Sequence, residues 1–149
     1  MKCKLTGLCK NVSQFTKMLK DIPLLIIRLV LAYGFYEPAM MKWKNINAIG
    51  DWFKTMNYPL PYFNAYMAGI TEVAGFVLLL LGLGTRLISL PLMIVMLVAI
   101  ITVHYANGFA ASSNGYEIPL YYLIMLFTLF VYGPGKISVD YLISKYKKD

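Results

Sequence analysis

Residues 62–87 read YFNAYMAGITEVAGFVLLLLGLGTRL, long and apolar enough to cross a bilayer, with a carboxylate, Glu72, well inside the apolar run. An ionisable group at membrane depth is costly, so it faces other helices or a wet cavity and marks a functional site. Ala65, Ala68, Gly75 and Gly82 recur at helical spacing on the face that Glu72 shares. Small residues there let neighbouring helices approach closely. Glu72 is therefore expected to point into a protein interior.

Composition agrees with that reading. The 149 residues are 59% hydrophobic, with a mean hydropathy of +0.62, and only 14% are charged. Soluble domains carry about 25% charged residues. The chain reads as one integral membrane domain. Its net charge of +7 comes from lysines at the two ends and beside apolar runs. That placement suits anionic lipid headgroups and lacks the basic stripe with base-stacking aromatics that nucleic acid would need. Cys3 and Cys9 match no zinc or redox spacing and read as reduced thiols. Ile22 onward is too long for a signal peptide, contains Arg28 and lacks a small-x-small cleavage site.

Four crossings are expected, at about 22–43, 64–84, 87–105 and 117–132, giving an all-α, four-helix polytopic bundle. Residues 1–20 place Leu5, Leu8, Val12, Phe15 and Leu19 in a stripe flanked by lysines. This pattern predicts an amphipathic helix lying on the membrane surface. In the first crossing Arg28 lies near one end and is expected to snorkel to headgroups. Glu37 is deeper and is followed by Pro38, which suggests a bent helix lining a cavity. Residues 42–63 are too polar and broken to span; Trp52, Phe53, Tyr58 and Tyr62 suit a short interfacial segment capping the bundle. Gly133-Pro134-Gly135-Lys136 stops the fourth crossing, and a basic tail covers 141–149.

Four crossings put both termini on one side. Lys2, Lys4, Lys10, Lys17, Lys20, Arg86, Lys136, Lys145, Lys147 and Lys148 lie there, against Lys42, Lys44 and Lys54 on the other. The positive-inside rule makes the termini cytoplasmic. Glu37, Glu72, His104 and Glu117 then fall in the outward half, one from each helix, and Tyr121, Thr128 and Tyr132 extend a polar stripe down the fourth. Three carboxylates and an imidazole cannot all be charged cheaply in a low dielectric. Such a set suits proton exchange with a quinone headgroup, and His with carboxylates also suits a metal ion. Glu72, His104 and Glu117 are the candidate catalytic groups; Glu37, Tyr121 and Lys42 are candidate ligand contacts. Met40, Met41, Met56, Met67, Met93, Met96 and Met125 raise the question of a cuprous ion, but packing accounts for most of them, and no metal ligand is assigned.

Glu72-x-x-Gly75, followed by Leu81-Gly82-x-Gly84-Thr85-Arg86, resembles the second helix and turn of the DoxX family, and Gly133-Pro134-Gly135-Lys136-x-Ser138-x-Asp140 resembles its closing segment. His104, Glu117 and Lys42 also fall where that family tends to place such groups. The resemblance covers roughly residues 24–140 and implies a DoxX-like four-helix inner-membrane domain over 21–140. It also implies quinone-linked sulfur oxidation, or participation in oxidative-stress complexes. The segment 35–41, Phe-Tyr-Glu-Pro-Ala-Met-Met, departs from the general pattern and looks like a subgroup found alongside copper-responsive, ribosomally made peptides. No cysteine lies on the outward side, so a sulfur-handling step would need a partner subunit. Two functions are therefore expected: a membrane subunit of a quinone-linked redox or metal-stress system, or a non-catalytic anchor for an extracytoplasmic redox or copper-handling partner. In the second case residues 51–62 would form the docking surface. A transporter fits less well, because the chain shows no internal repeat.

Overall fold

A computed structural model describes residues 19–146. Cys3, Cys9 and almost all of the expected amphipathic segment 1–20 lie outside the described residues, as do 147–149 of the tail. The described chain is all-α. Helix α1 spans Asp21–Lys44, α2 Ile46–Thr55, α3 Pro61–Leu81, α4 Thr85–Ala99, α5 Glu117–Tyr132 and α6 Val139–Tyr146. Helix α4 runs on through a π-helical stretch, Ile100–His104, and a short 3-10 turn, Tyr105–Asn107.

Three of these helices are long and apolar enough to cross a bilayer: α1, α3 and α4 with its extension; α5 is a shorter apolar helix of 16 residues. The protein is a membrane helical bundle. The exposed residues confirm the solvent. Ile26, Val30, Ile70, Val77, Ile124, Phe127 and Val131 face outward, where acyl chains cover them. Lipid tails are as apolar as leucine, so close packing rather than a hydrophobic drive holds such helices together. The packed face of α1 is Arg28, Leu31, Ala32, Phe35 and Ala39, a helical stripe at steps of three and four. That of α3 is Ala65, Gly69, Glu72, Gly75 and Leu79. Four of those five are small or polar, which lets α1 and α4 approach closely. Leu92, Leu126 and Leu129 complete the core from α4 and α5.

Boundaries differ modestly from the sequence expectation. Helix α3 begins at Pro61, three residues earlier than expected, because Pro61 takes the first helical position, where its missing N–H costs nothing. Residues 46–55 form the capping helix α2, at the end of the bundle away from the termini, here the distal end. The basic tail includes α6, whose N-terminus is capped by Ser138, its Oγ accepting from Tyr141 N–H at 3.2 Å.

Arg28 requires a correction. It does not snorkel: it is 2% exposed, and its guanidinium is caged by backbone carbonyls. Nε donates to Leu79 O at 3.0 Å, and Nη1 to Pro134 O at 3.0 Å and Ile137 O at 2.7 Å. Nη2 donates to Leu80 O at 3.3 Å. The end of α3 and the segment after α5 thus present their orphan carbonyls to one planar cation, whose fixed fork of donors suits the task better than an ammonium would. Asp140 works the same site from the other sign. Its carboxylate accepts from Gly84 N–H at 2.8 Å and Thr85 N–H at 3.2 Å, capping the start of α4. Asp21 accepts from Lys136 N–H at 3.1 Å.

Gly82 sits at φ +68°, closing α3 with a left-handed turn, and a Cβ there would fall 2.6 Å from the Arg28 guanidinium carbon. The two glycine-rich motifs, 81–86 and 133–140, therefore meet around Arg28 and tie the basal end of the bundle together.

Replacing Arg28 by Lys keeps the charge but strands several carbonyls. Since a hydrogen bond to a charged group contributes about 1.5–3 kcal/mol, the variant should lose on the order of 3 kcal/mol of stability. Thermal unfolding in mild detergent measures it, and a midpoint equal to the parent's would show the cage to be dispensable.

Candidate functional site

Four elements converge on Glu72. It lies eleven residues beyond Pro61, roughly 16 Å along α3 at 1.5 Å per residue, and is 3% exposed. Its partner is Lys42, near the C-terminal end of α1. The ammonium contacts Glu72 Oε2 at 2.8 Å and Oε1 at 3.0 Å. Gly69, one helical turn before Glu72, faces α1: a Cβ there would be in ordinary contact with Lys42 Cβ at 3.9 Å and Trp43 Nε1 at 3.7 Å. A buried carboxylate needs such company, because leaving either charge alone in a low dielectric is severely unfavourable.

The pair stands in the wall of a cavity of about 950 Å³ in the distal half of the bundle. Ligand pockets typically measure about 300–1,000 Å³, so this one has the size of a small-molecule site. Helix α1 supplies Gly34, Phe35, Pro38 and Lys42; α3 supplies Asn64, Met67, Ala68, Thr71 and Glu72. Helix α4 and its π-helical extension contribute a stripe from Pro91 to His104, and α5 contributes Ile118, Pro119 and Tyr122. Trp52, Phe53 and Tyr58, from α2 and the loop after it, close the distal side. Phe53 stacks on Tyr58 at 4.8 Å, and the Tyr58 hydroxyl hydrogen-bonds the Thr102 hydroxyl of the π-helical stretch.

The lining is mostly apolar, with few polar groups, and those few come from different helices. His104 lines the cavity, and its Nδ1 lies 2.8 Å from Asn114 O. A carbonyl only accepts, so Nδ1 is the donor in this contact. Gly34 makes room for Tyr122: a Cβ at Gly34 would fall 1.9 Å from the tyrosine hydroxyl, which sets that hydroxyl against α1.

Of the sequence-derived candidates, Glu72, Lys42 and His104 reach this cavity; no hydrogen bond among the described residues joins His104 to the other two. Glu37 does not reach it. It is on the exposed side of α1, one residue off the stripe that faces inward, while its neighbour Pro38 lines the cavity. Glu117 is also elsewhere. It opens α5 and ties the preceding loop, accepting from Ala111 N–H at 2.9 Å and from Tyr121 OH at 3.0 Å. That leaves Tyr121 exposed, a partner of Glu117 rather than of the cavity. Thr128 turns back on its own helix, donating to Ile124 O, and Tyr132 is exposed, so the polar stripe on α5 is not a lining. Tyr122, one position along, is the α5 hydroxyl that faces inward. Asn64, Thr71, Tyr58 and Thr102 are further polar lining groups that sequence reasoning missed. Spacing from Glu72 did not point to them: Asn64 and Thr71 lie eight and one residues before it, about 80° and 100° away around the helix.

Among the described residues no group of three or more His, Cys, Asp or Glu side chains gathers as a metal site would. The arrangement is instead that of a multi-pass membrane protein with a ligand-sized cavity and one buried ion pair in its wall. The chain belongs to the DoxX family, whose family model matches residues 23–105. It is 34% identical to an uncharacterized protein of Haemophilus influenzae over 96% of this chain and 91% of that one. A membrane protein of Mycobacterium tuberculosis is 29% identical over 80% of each chain. A Bacillus subtilis protein named "Putative oxidoreductase CatD" is 26% identical over 87% of this chain and 92% of its own. No solved structure gives a significant match.

Breaking a buried ion pair from one side costs about 3–5 kcal/mol, whereas removing both charges costs far less. Lys42→Met and Glu72→Gln should each lower the unfolding midpoint in detergent, and Lys42→Met combined with Glu72→Leu should recover much of the loss. Glu37→Gln should change stability by no more than about 0.5 kcal/mol. Costs at 42 and 72 that simply add would show that the two side chains act independently.

Proposed function

We propose that this protein is a membrane subunit of a quinone-linked redox system and holds the quinone headgroup in the distal cavity. The observation that carries the reading is the Lys42–Glu72 pair, buried in the wall of an otherwise apolar chamber of about 950 Å³. A quinone is a flat apolar ring with two carbonyl acceptors, and it carries electrons together with protons. Lys42 is a donor for one carbonyl, and the Phe35, Phe53 and Tyr122 rings are walls for the ring. Glu72 and His104 are the groups that exchange protons with the bound headgroup, since each can hold or release one at a nitrogen or oxygen facing the cavity. The oxidoreductase name of the Bacillus subtilis relative supports a redox setting. Electrons are exchanged with a partner protein.

The lysine distribution supports a bacterial inner-membrane placement with both termini in the cytoplasm and the cavity on the outward side. The second reading, an anchor for an extracytoplasmic partner, is favoured by one feature: Trp52 and Leu60 are exposed on the distal surface.

Purification in mild detergent followed by solvent extraction separates the two. Near-stoichiometric quinone is expected in the parent. Lys42→Met, Glu72→Gln and His104→Ala should each reduce occupancy; losing a charged hydrogen bond weakens affinity roughly ten- to a hundredfold. Protein that is empty of quinone yet co-purifies with an extracytoplasmic partner, unaffected by those substitutions, supports the anchor instead.

A further inference from the structure

Of the exposed residues that line the cavity, three belong to α3 and α4 themselves. Met67 of α3 is 46% exposed, and Ile94 and Val98 of α4 are 62% and 40% exposed. All three are apolar. Ile94 stands nine residues beyond Thr85, roughly 14 Å along the axis, which is about mid-depth in a hydrocarbon core of about 30 Å. An opening at that depth faces acyl chains, not water.

The geometry of α3 and α4 explains why the wall parts there. At the basal end the tight turn through Gly82 and Gly84 holds the two helices together, and Gly75 packs directly on Leu92, where a Cβ would fall 2.7 Å from Leu92 Cδ2. Toward the distal end Met67, Ala68 and Thr71 of α3 and Ile94, Val95 and Val98 of α4 line the cavity instead. The distal rim is closed again by the Tyr58–Thr102 hydroxyl contact, and the Phe53–Tyr58 stack backs it. The chamber thus has exposed apolar lining at the depth of the tails, below a rim spanned by these two contacts.

From this we infer that the cavity is loaded sideways from the bilayer, through a portal between α3 and α4 framed by Met67, Ile94 and Val98. The ligand class follows: an amphiphile with a compact polar head that reaches Lys42 and Glu72, and a long apolar tail that remains in the portal among the acyl chains. A water-soluble molecule lacking a tail is not the natural occupant. That the head is a quinone rests on the reading above; the route does not.

The route is tested without any ligand. In a background with Cys3→Ser and Cys9→Ser, Thr71→Cys places one thiol inside the cavity. In reconstituted bilayers a lipid-soluble maleimide should label it readily, and a membrane-impermeant sulfonated maleimide should label it at least severalfold more slowly. Ile94→Trp, at an exposed position that tolerates bulk, should slow the lipid-soluble reagent severalfold; Val98→Trp is the second plug. Equal labelling by both reagents, or labelling by the lipid-soluble one that neither plug slows, overturns the portal. So does a thiol that neither reagent reaches.

The ligand class is tested with headgroup-matched quinones bearing no tail or a long isoprenoid tail, titrated into the same bilayers. Ile94→Trp should weaken the long-tailed compound by about tenfold, as loss of apolar contact at the portal requires, and leave the tailless one unchanged. Equal effects on both overturn the tail assignment while leaving the headgroup reading intact. Plugs that slow thiol labelling in a protein that binds neither compound sink the quinone reading and leave the portal standing.

Discussion

An ion pair inside a bilayer protein constrains everything around it. Lys42 and Glu72 meet at 2.8 Å where water is scarce, so neither can be moved without exposing the other's charge. The contact joins α1 to α3 across 30 residues of sequence, with the short helix α2 between them turning the chain back at the distal end. The cavity lies beside this pinned pair, with α4 and α5 supplying its other walls.

The same physics is solved differently at the basal end. Arg28 has no carboxylate in direct contact; its charge is met by four carbonyls from two chain segments, and Asp140 answers the amide groups at the start of α4. In hydrocarbon every backbone group must find a protein partner. One arginine and one aspartate satisfy the loose ends of three helices. That end is closed, with Leu31, Leu79, Leu92 and Leu129 packed beside the buried Arg28, Thr85 and Ser89. The distal end is hollow, and its polar side chains line the cavity. A rigid base and an open upper half suit a protein that admits a ligand without unfolding its frame.

Much of this was legible in the residues, though unevenly. The spans, the capping helix and the interior placement of Glu72 follow from hydropathy and from small residues at helical spacing, both local properties. Arg28 was misjudged because its depth from the helix end matches that of a snorkelling residue; only the carbonyls of residues 79, 80, 134 and 137 distinguish the two cases. Glu37 and Tyr121 each fall one position from a lining residue, Pro38 and Tyr122. One step on a helix is about 100° of rotation, so a face inferred without knowing the neighbours is easily wrong by that much.

The amino-acid order alone determined the solvent, the number of apolar helices and the glycine-rich motifs that mark the family, because each depends on residues close together in the chain. Tertiary structure decided which charges meet. Lys42 with Glu72, Arg28 with the carbonyls at the end of α3 and after α5, and Glu117 with its own loop rather than with the cavity are pairings set by how helices rotate and cross. Those rotations are fixed by packing between segments far apart in sequence, and no local pattern encodes them.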